Sequence, residues 1–256
     1  MRPLAGQVAR AVGLMGLLAL GAGCLFLGDR PAPLRIGTVK DSPPLAFREG
    51  RHWKGVEIEL AHAMAERLGR HPVFVALPST ELLPALLNGR VDVVMAGLAI
   101  TEERRVQIDF ASPYLVVGQG VLVRRGDLPR VQTAIKIRSS PGRAAVVEDS
   151  PGDRLITRYF PLASRYPFST PDDAIDALLN NRVDMVVGDG PALHWKARQR
   201  PEALALAPAL FAREEIAWGF RRGSVRLRES ANKALGDWQQ DGTLEGILRR
   251  WMPVTP

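Results

Sequence analysis

Hydrophobic and polar positions switch several times between a two-residue period and a period of three to four residues, which predicts strands that alternate with helices. Residues 34–39 show the alternation of a strand. Apolar side chains then recur every three or four residues and predict a helix over 56–69. A strand at 72–76, a helix at 80–88 and a strand at 91–95 follow. This order is typical of a largely parallel sheet.

The second half of the chain restarts the same order. We predict strands at 144–147, 164–168 and 183–187, and helices at 151–159, 171–180 and 190–199. Extended runs are expected at 111–118, 119–125 and 214–220, and two closing helices at 231–240 and 244–251. Residues 41–54 contain adjacent prolines and a glycine, and are predicted as a loop.

A sequence repeat links the two halves. Leu86–Gly97 is LLNGRVDVVMAG, and Leu178–Asp189, 92 residues further on, is LLNNRVDMVVGD. Each copy has the pattern of a helix end, a tight turn and a buried strand. Two similar α/β lobes form a cleft, and such sheets bind ligands beyond the carboxyl ends of their strands. The repeat therefore predicts a site near residues 96–97 and 188–189.

The N-terminal segment predicts export. Only two charges, both arginine, precede residue 29, and small residues follow an apolar stretch, as in a signal peptide over residues 1–23. Cys24 follows in a pattern that resembles a bacterial lipobox, although Gly21 stands where leucine is usual. We expect lipidation of Cys24 and a tether over 24–32. The alternative is a short uncleaved membrane anchor.

Composition and net charge indicate which classes of binding partner to expect. The 256 residues are 46% hydrophobic and 24% charged, as in ordinary globular proteins. The net charge is +7 and the isoelectric point is about 10.1. Nucleic acid is not expected as a partner, because the basic residues form no long run and no aromatic residues interleave with them.

Five short strings along the chain form a set. They are LRIGT at 34–38, GVEIELAHAMA at 55–65, MAGLAITEER at 95–104, DFASPY at 109–114 and GTLEGILRRW at 242–251. Together they resemble the family 3 extracellular solute-binding proteins, which are the amino-acid receptors of ABC importers. The resemblance covers about residues 33–252, and Val56 is a small departure from the pattern.

The resemblance implies a two-lobed α/β fold of the periplasmic-binding-protein type, in which each lobe is a mainly parallel sheet flanked by helices. Lobe 1 would comprise residues 33–119 and 217–256, and lobe 2 residues 120–216. Two hinge strands would cross near 121–123 and 216–218, and the lobes would close on the ligand.

Arg104 and Asp189 are the main site residues that the resemblance implies. Arg104 follows a helix start, where a guanidinium can hold a carboxylate with two hydrogen bonds, and the matching arginine of the family holds the ligand α-carboxylate. The alternative is a surface ion pair with Asp109 or Glu102. Asp189 matches the carboxylate that takes the ligand α-ammonium, and its alternative is an ordinary helix N-cap.

Further positions of the implied cleft depart from the family. Ser42 replaces a common aromatic residue, and Ala99 replaces serine or threonine. Ser150 lies in a loop that differs from the usual Gly-Thr-Thr-like turn. With Gly97 and Phe47 these residues complete the expected ligand contacts.

Glu148 and Asp149 add negative charge to the second lobe, so we expect a small polar or cationic solute rather than an aromatic or acidic amino acid. The same two acids suit an enzymatic alternative, a periplasmic cyclohexadienyl or arogenate dehydratase that needs a general acid. A free-standing ligand-sensing regulator is a third class.

No chemical motif indicates catalysis. The four histidines are far apart, and neither a nucleophile elbow nor a phosphate loop occurs. We therefore expect no catalytic residue, metal or cofactor. We predict a monomer in the periplasm or on the extracytoplasmic face of the membrane, anchored by its lipidated N-terminus. It would pass a small molecule to an ABC permease in the inner membrane.

Overall fold

The computed structural model describes residues 31–252, except for the side chain of Thr157. The predicted signal peptide and Cys24 lie outside the described residues. The strands are β1 (Leu34–Thr38), β2 (Asp41–Ser42), β3 (Ala46–Glu49), β4 (His52–Lys54), β5 (Pro72–Ala76), β6 (Val93–Val94), β7 (Asp109–Phe110), β8 (Leu115–Arg124), β9 (Gly142–Val147), β10 (Ala163–Phe168), β11 (Met185–Asp189), β12 (Leu204–Leu206), β13 (Phe211–Ile216) and β14 (Gly219–Phe220). The helices are α1 (Val56–Arg67), α2 (Ser79–Leu87), α3 (Glu102–Arg105), α4 (Ala134–Arg138), α5 (Pro151–Tyr159), α6 (Pro171–Leu179), α7 (Gly190–Gln199), α8 (Val225–Gln240) and α9 (Thr243–Trp251), with a 3₁₀ helix at Arg125–Arg130.

Two sheets form the framework, and each contains three parallel strands. The first has the order β5-β1-β6-β14-β7, with β14 antiparallel to both neighbours. The second has the order β10-β9-β11-β8-β12, with β8 antiparallel to its neighbours. We call the first sheet with α1, α2, α8 and α9 lobe 1, and the second sheet with α4 to α7 lobe 2. The predicted two-lobed α/β class is confirmed.

Helices cover both faces of each sheet, which explains the long apolar runs in the strands. In lobe 1, Ile36, Met95 and Trp218 are buried in the core beneath α1, α8 and α9. Val94 and Leu98 belong to a second core on the side of α2. Lobe 2 has the same arrangement, with α5 beside one core and α6 and α7 beside the other.

Two strands connect the lobes. β8 leaves lobe 1 at Leu115 and continues into the second sheet, and β13 returns beside it in the opposite direction. The expectation of two separate extended runs at 111–118 and 119–125 is wrong, because β13, β11 and β12 pair with β8 along its length. A side chain at Gly118 would place a Cβ only 2.6 Å from the Phe211 carbonyl oxygen, so the close pairing requires glycine there.

Residues 41–54, predicted as a loop, form a small antiparallel sheet of β2, β3 and β4. These strands have two to four residues each, too few to show a period in the sequence. The sheet lies beside the start of α1, because Val56 and Glu57 donate backbone hydrogen bonds to the carbonyls of Pro44 and Leu45.

The two copies of the sequence repeat have the same tertiary contact at the base of their sheets. In lobe 1 the backbone N–H and Nη2 of Arg35 donate to the Asp92 carboxylate at 2.9 and 2.6 Å. In lobe 2 the backbone N–H and Nη2 of Arg143 donate to the Asp184 carboxylate at 2.7 and 2.9 Å. We call these two contacts the base straps.

None of the helices within residues 31–252 has the length and hydrophobicity needed to cross a lipid bilayer.

Candidate functional site

The carboxyl edge of the first sheet brings together three predicted site residues, Gly97, Ala99 and Arg104. Gly97 has a φ of +66°, and a Cβ there would lie 2.5 Å from Leu45 Cδ1, so this turn requires glycine. Its N–H donates to Glu57 Oε1 at 2.6 Å. The hydrogen bond to the Glu57 carboxylate therefore holds the loop after β6 in place.

Arg104 is half-buried on this edge. Thr101 caps α3 by accepting from the Arg104 N–H at 3.2 Å, and Arg104 Nη1 donates to the Ala99 carbonyl at 2.8 Å. Arg104 forms no ion pair with any carboxylate in the part of the chain that the structure describes; Glu102 lies 3.8 Å from Arg105 instead. Because a guanidinium has five donors, Arg104 keeps donors for an anionic ligand group.

Glu57, which the sequence indicates only as an acid in a first helical turn, lies fully buried beneath the Gly97 loop. It accepts hydrogen bonds from Gly97, from Tyr114 Oη at 2.7 Å and from Trp218 Nε1 at 3.0 Å. Burial raises the pKa of the Glu57 carboxyl, while these three donors oppose the shift. Glu57 and Leu60 are three residues apart, so both lie on the buried face of α1. This spacing is the feature of the sequence that indicates burial of Glu57.

The facing edge of lobe 2 brings together Ser150 and Asp189. Ser150 caps α5 by accepting from the Asp153 N–H at 3.1 Å, and Asp189 caps α7 by accepting from the Ala192 N–H at 2.9 Å. A Cβ at Gly152 would lie 2.7 Å from the carbonyl oxygen of Val187, so the start of α5 packs directly on β11. Two helix N-termini therefore meet at this edge.

Asp189 combines capping with an unmatched charge. Its side chain is accessible to solvent and forms no ion pair within residues 31–252. The protein packed around it raises the pKa of its carboxyl by desolvation, and the charge of Glu214 acts in the same direction. A cationic ligand group would relieve both effects.

The strands that connect the lobes set the spacing between the two edges. Ala99 pairs with Ile216, and Ile216 pairs with Leu115 on β8. Asp189 pairs with Gln119 on the same strand. Four residues of a strand span about 13 Å, so Arg104 and Asp189 come from opposite lobes along one short stretch of β8.

The other predicted contacts, Ser42 and Phe47, lie in the small antiparallel sheet of β2, β3 and β4. Ser42 is half-buried in β2, where its carbonyl accepts from the Leu45 N–H at 2.8 Å. Phe47 is buried in an aromatic cluster, with ring centroids 5.1 Å from Trp195 of α7 and 5.7 Å from Trp251 of α9. Phe47 therefore contacts one helix of each lobe.

A cavity of about 250 Å³ lies between α7 and α9, with Val116, His194, Leu210 and Met252 in its wall. Burial lowers the pKa of His194 to about 4. The wall contains neither Arg104 nor Asp189, so an amine-carboxylate would find no charged partner there. Across residues 31–252 no group of three or more His, Cys, Asp or Glu side chains is arranged to hold a metal ion.

Comparison with known proteins gives a family match. Residues 34–254 match the bacterial extracellular solute-binding proteins, family 3. A curated relative is the L-cystine-binding protein TcyJ of Escherichia coli K12, which is 24% identical over 85% of this chain and 82% of its own length.

Solved structures agree in fold. The ancestral cationic amino acid solute-binding protein AncCDT-1 aligns with a TM-score of 0.77 at 28% identity, over 86% of this chain and 95% of its own. A second AncCDT-1 structure, described as a precursor of cyclohexadienyl dehydratase, aligns over the same shares with a TM-score of 0.64. An ancestral arginine-binding protein bound to arginine gives 0.63 at 30% identity, over 86% of this chain and 97% of its own.

Proposed function

This chain belongs to the bacterial extracellular solute-binding proteins, family 3, and we propose that its solute is an amino acid held between Arg104 and Asp189. The observation that carries the proposal is the pair of opposite charges at the facing edges of the two lobes. Arg104 and Asp189 each have no counter-ion among the described residues, and about 13 Å of β8 separates their levels. A solute with a carboxylate at one end and an ammonium group nearby would satisfy both.

Each residue would have a distinct role. The Arg104 guanidinium, oriented by its bond to the Ala99 carbonyl, would donate to the α-carboxylate. The Asp189 carboxylate would accept from the α-ammonium group, and its N-cap bond to Ala192 would keep it in place. Ser150 and the N-terminus of α5 would complete the lobe 2 side. No bond of the solute would be broken.

Closure of the lobes would retain the solute. We assign residues 33–119 and 217–256 to one moving body and 120–216 to the other, with β8 and β13 as the hinge. The closed form would be the one that an ABC permease in the inner membrane binds.

We further propose export by the segment 1–23, lipidation of Cys24 and a monomeric protein at the outer face of the membrane. The basic and apolar pattern of the N-terminal segment supports this location. Mass spectrometry of the membrane fraction tests it. A soluble product cleaved elsewhere, and unchanged by Cys24→Ser, would rule out the lipid anchor.

Arg104→Ala is the decisive binding variant. Loss of the charge-assisted contact should cost about 2–5 kcal/mol of binding free energy, measured by calorimetry against the best solute of an amino-acid panel. Arg105→Ala is the matched control, because the adjacent Arg105 is exposed and lies 3.8 Å from Glu102. An unchanged dissociation constant for Arg104→Ala, with thermal unfolding also unchanged, would show that Arg104 does not hold the carboxylate.

The dehydratase alternative has a separate test. It would need Glu148 or Asp149 as a general acid, and the second AncCDT-1 structure, as a precursor of cyclohexadienyl dehydratase, connects this fold to that enzyme. We propose binding without chemistry, because the curated relative TcyJ is named a binding protein. Turnover of prephenate or arogenate by the purified protein would overturn this choice.

A further inference from the structure

Glu214 is an exposed acid on β13, one of the two strands that connect the lobes. It forms no ion pair with any described residue, although Arg213 precedes it in the chain. A carboxylate on a connecting strand can face the cleft or point away from it, so the orientation of Glu214 decides its role.

The strand register places Glu214 on the same sheet face as Asp189. Asp189 pairs with Gln119, and Glu214 pairs with Val117. Gln119 and Val117 are two residues apart on β8, so their side chains point to one face, and directly paired residues share that face. Asp189 and Glu214 therefore lie on opposite edges of β8, with their side chains on the same face of the sheet.

Two strand spacings across and two residues along separate the Cα atoms by about 12 Å. Both side chains extend from that face. The electrostatic effect of Glu214 on Asp189 agrees with this geometry, because Glu214 raises the pKa of the Asp189 carboxyl. The two carboxylates are therefore near enough to interact.

The sequence predicts Glu148 and Asp149 as the source of negative charge in lobe 2. Arginine partly compensates the charge of these two acids. The charges of Glu148 and Asp149 act on Arg165, which raises the pKa of that guanidinium together with the larger effect of its hydrogen bonds to Asp153. Arg154 Nη1 also donates to the Asp149 carbonyl at 2.7 Å. Neither Glu214 nor Asp189 forms an ion pair with another described residue, and no cation contributes to the shift of the Asp189 pKa.

We propose that Glu214 is a specificity-determining residue, which accepts hydrogen bonds from a cationic group on the side chain of the solute. Asp189 then takes the α-ammonium group and Arg104 the α-carboxylate, so a solute with two positive groups satisfies three charged side chains. The inference rests on the proposed function and adds the solute class: amino acids with a cationic side chain. A neutral side chain leaves the Glu214 carboxylate without a counter-ion after closure.

Arginine and citrulline provide the test, because they have nearly the same shape and differ in side-chain charge. We expect calorimetry to give a dissociation constant at least tenfold lower for arginine than for citrulline. In Glu214→Gln the ratio should fall below about threefold, mainly through weaker arginine binding. Glu215→Gln is the matched control: Glu215 is also exposed but alternates to the other face of β13, and its ratio should stay at the original value.

The outcomes separate the inference from the proposed function. Citrulline or glutamine binding as tightly as arginine would overturn the role of Glu214 and leave amino-acid binding intact. An unchanged ratio in Glu214→Gln, or an equal change in Glu215→Gln, would also overturn that role. Failure of every amino acid in the panel to bind the unaltered protein would overturn both proposals.

Discussion

At the base of the first sheet Arg35 holds Asp92, and at the base of the second sheet Arg143 holds Asp184. The same guanidiniums also donate to a carbonyl in the turn of each repeat, that of Gly89 in lobe 1 and that of Asn181 in lobe 2. Each strap ties the strand that pairs with the repeat strand, β1 in lobe 1 and β9 in lobe 2, to the turn that precedes the repeat strand. The repeat has therefore kept a scaffold contact in both lobes.

The opposite end of the repeat differs between the lobes. Gly97 in lobe 1 aligns with Asp189 in lobe 2. Gly97 has a φ of +66° and gives its N–H to Glu57, whereas Asp189 has a φ of −54° and presents a carboxylate. A solute with an anionic and a cationic end requires two different lobes, and the difference begins at this position.

The carboxylates that hold the loop after β6 in lobe 1 and the loop before α5 in lobe 2 also have different partners. Beneath lobe 1's loop, the fully buried Glu57 accepts only from neutral donors. Beneath lobe 2's loop, Asp153 accepts from Arg165 Nε and Nη2 at 2.5 and 2.7 Å and from the Asp149 N–H at 3.0 Å. Lobe 1 thus depends on a buried hydrogen-bond network, and lobe 2 on a partly exposed ion pair.

The largest predicted effect follows from that difference. Glu57→Ala leaves the buried donors of Gly97, Tyr114 and Trp218 without an acceptor, each at about 1–3 kcal/mol. We expect a total loss of about 3–5 kcal/mol in the free energy of unfolding, measured with urea. The matched variant Asp153→Ala should lose less, because water can solvate the exposed Arg165. Equal losses would show that the two supports are energetically alike.

The pH dependence of stability should separate the same two carboxylates. The hydrogen bonds and charge of Arg165 lower the pKa of Asp153 below its usual 3.8, so its contribution is present above that value and is lost as the pH falls. Burial raises the pKa of Glu57 above its usual 4.5, so its effect has the opposite sign, and protonation stabilises the fold.

Thermal unfolding at about pH 7, 5 and 3 measures this prediction. The unaltered protein should lose stability toward the acid end, because the pKa values of Asp92 and Asp184 are also lowered by their arginine partners, against the effect of desolvation. Asp153→Asn should lose less stability over this range, and Glu57→Gln should lose more. The same pH profile for both variants would contradict the assigned directions.

Sequence patterns predict the parts of this fold that depend on local periodicity. The helices α5 and α7 begin and end where the pattern placed them, at 151–159 and 190–199. The pattern missed α4 and β12, which have five and three residues and therefore too few positions to show a period. Short elements are fixed by their neighbours rather than by their own sequence.

Local sequence patterns likewise predict only some of the residues of the site. Gly97, Arg104 and Asp189 follow from the repeat and from family strings, because they stand at fixed places after strands. Glu57 gains its role from partners 57 and 161 residues away, and Glu214 from a register that only the paired strands define. Such contacts depend on tertiary structure, and a local pattern carries no signal for them.

The base straps should differ in strength although they share a geometry. Asp92 is less exposed than Asp184, at 20% against 36% of the side chain, and its second arginine, Arg70, lies 3.2 Å away. We expect Asp92→Asn to lower the free energy of unfolding by about 1 kcal/mol after allowance for screening by solvent. Asp184→Asn should cost less. A urea series on both variants checks the order, and a larger loss for Asp184→Asn would contradict it.

The smallest effect concerns the turn of each repeat, where Gly89 and Asn181 have φ values of +69° and +56°. Asn181→Gly removes a side chain from a left-handed conformation, but the added freedom of the unfolded chain offsets part of the gain. We expect unfolding to become harder by up to about 0.5 kcal/mol. The reciprocal change Gly89→Asn should cost a similar amount, because asparagine must adopt the left-handed φ of +69° while its Cβ makes only an ordinary contact, 3.4 Å from the end of the Arg221 side chain. A much larger loss for Gly89→Asn in urea unfolding would show that the two turns are not interchangeable.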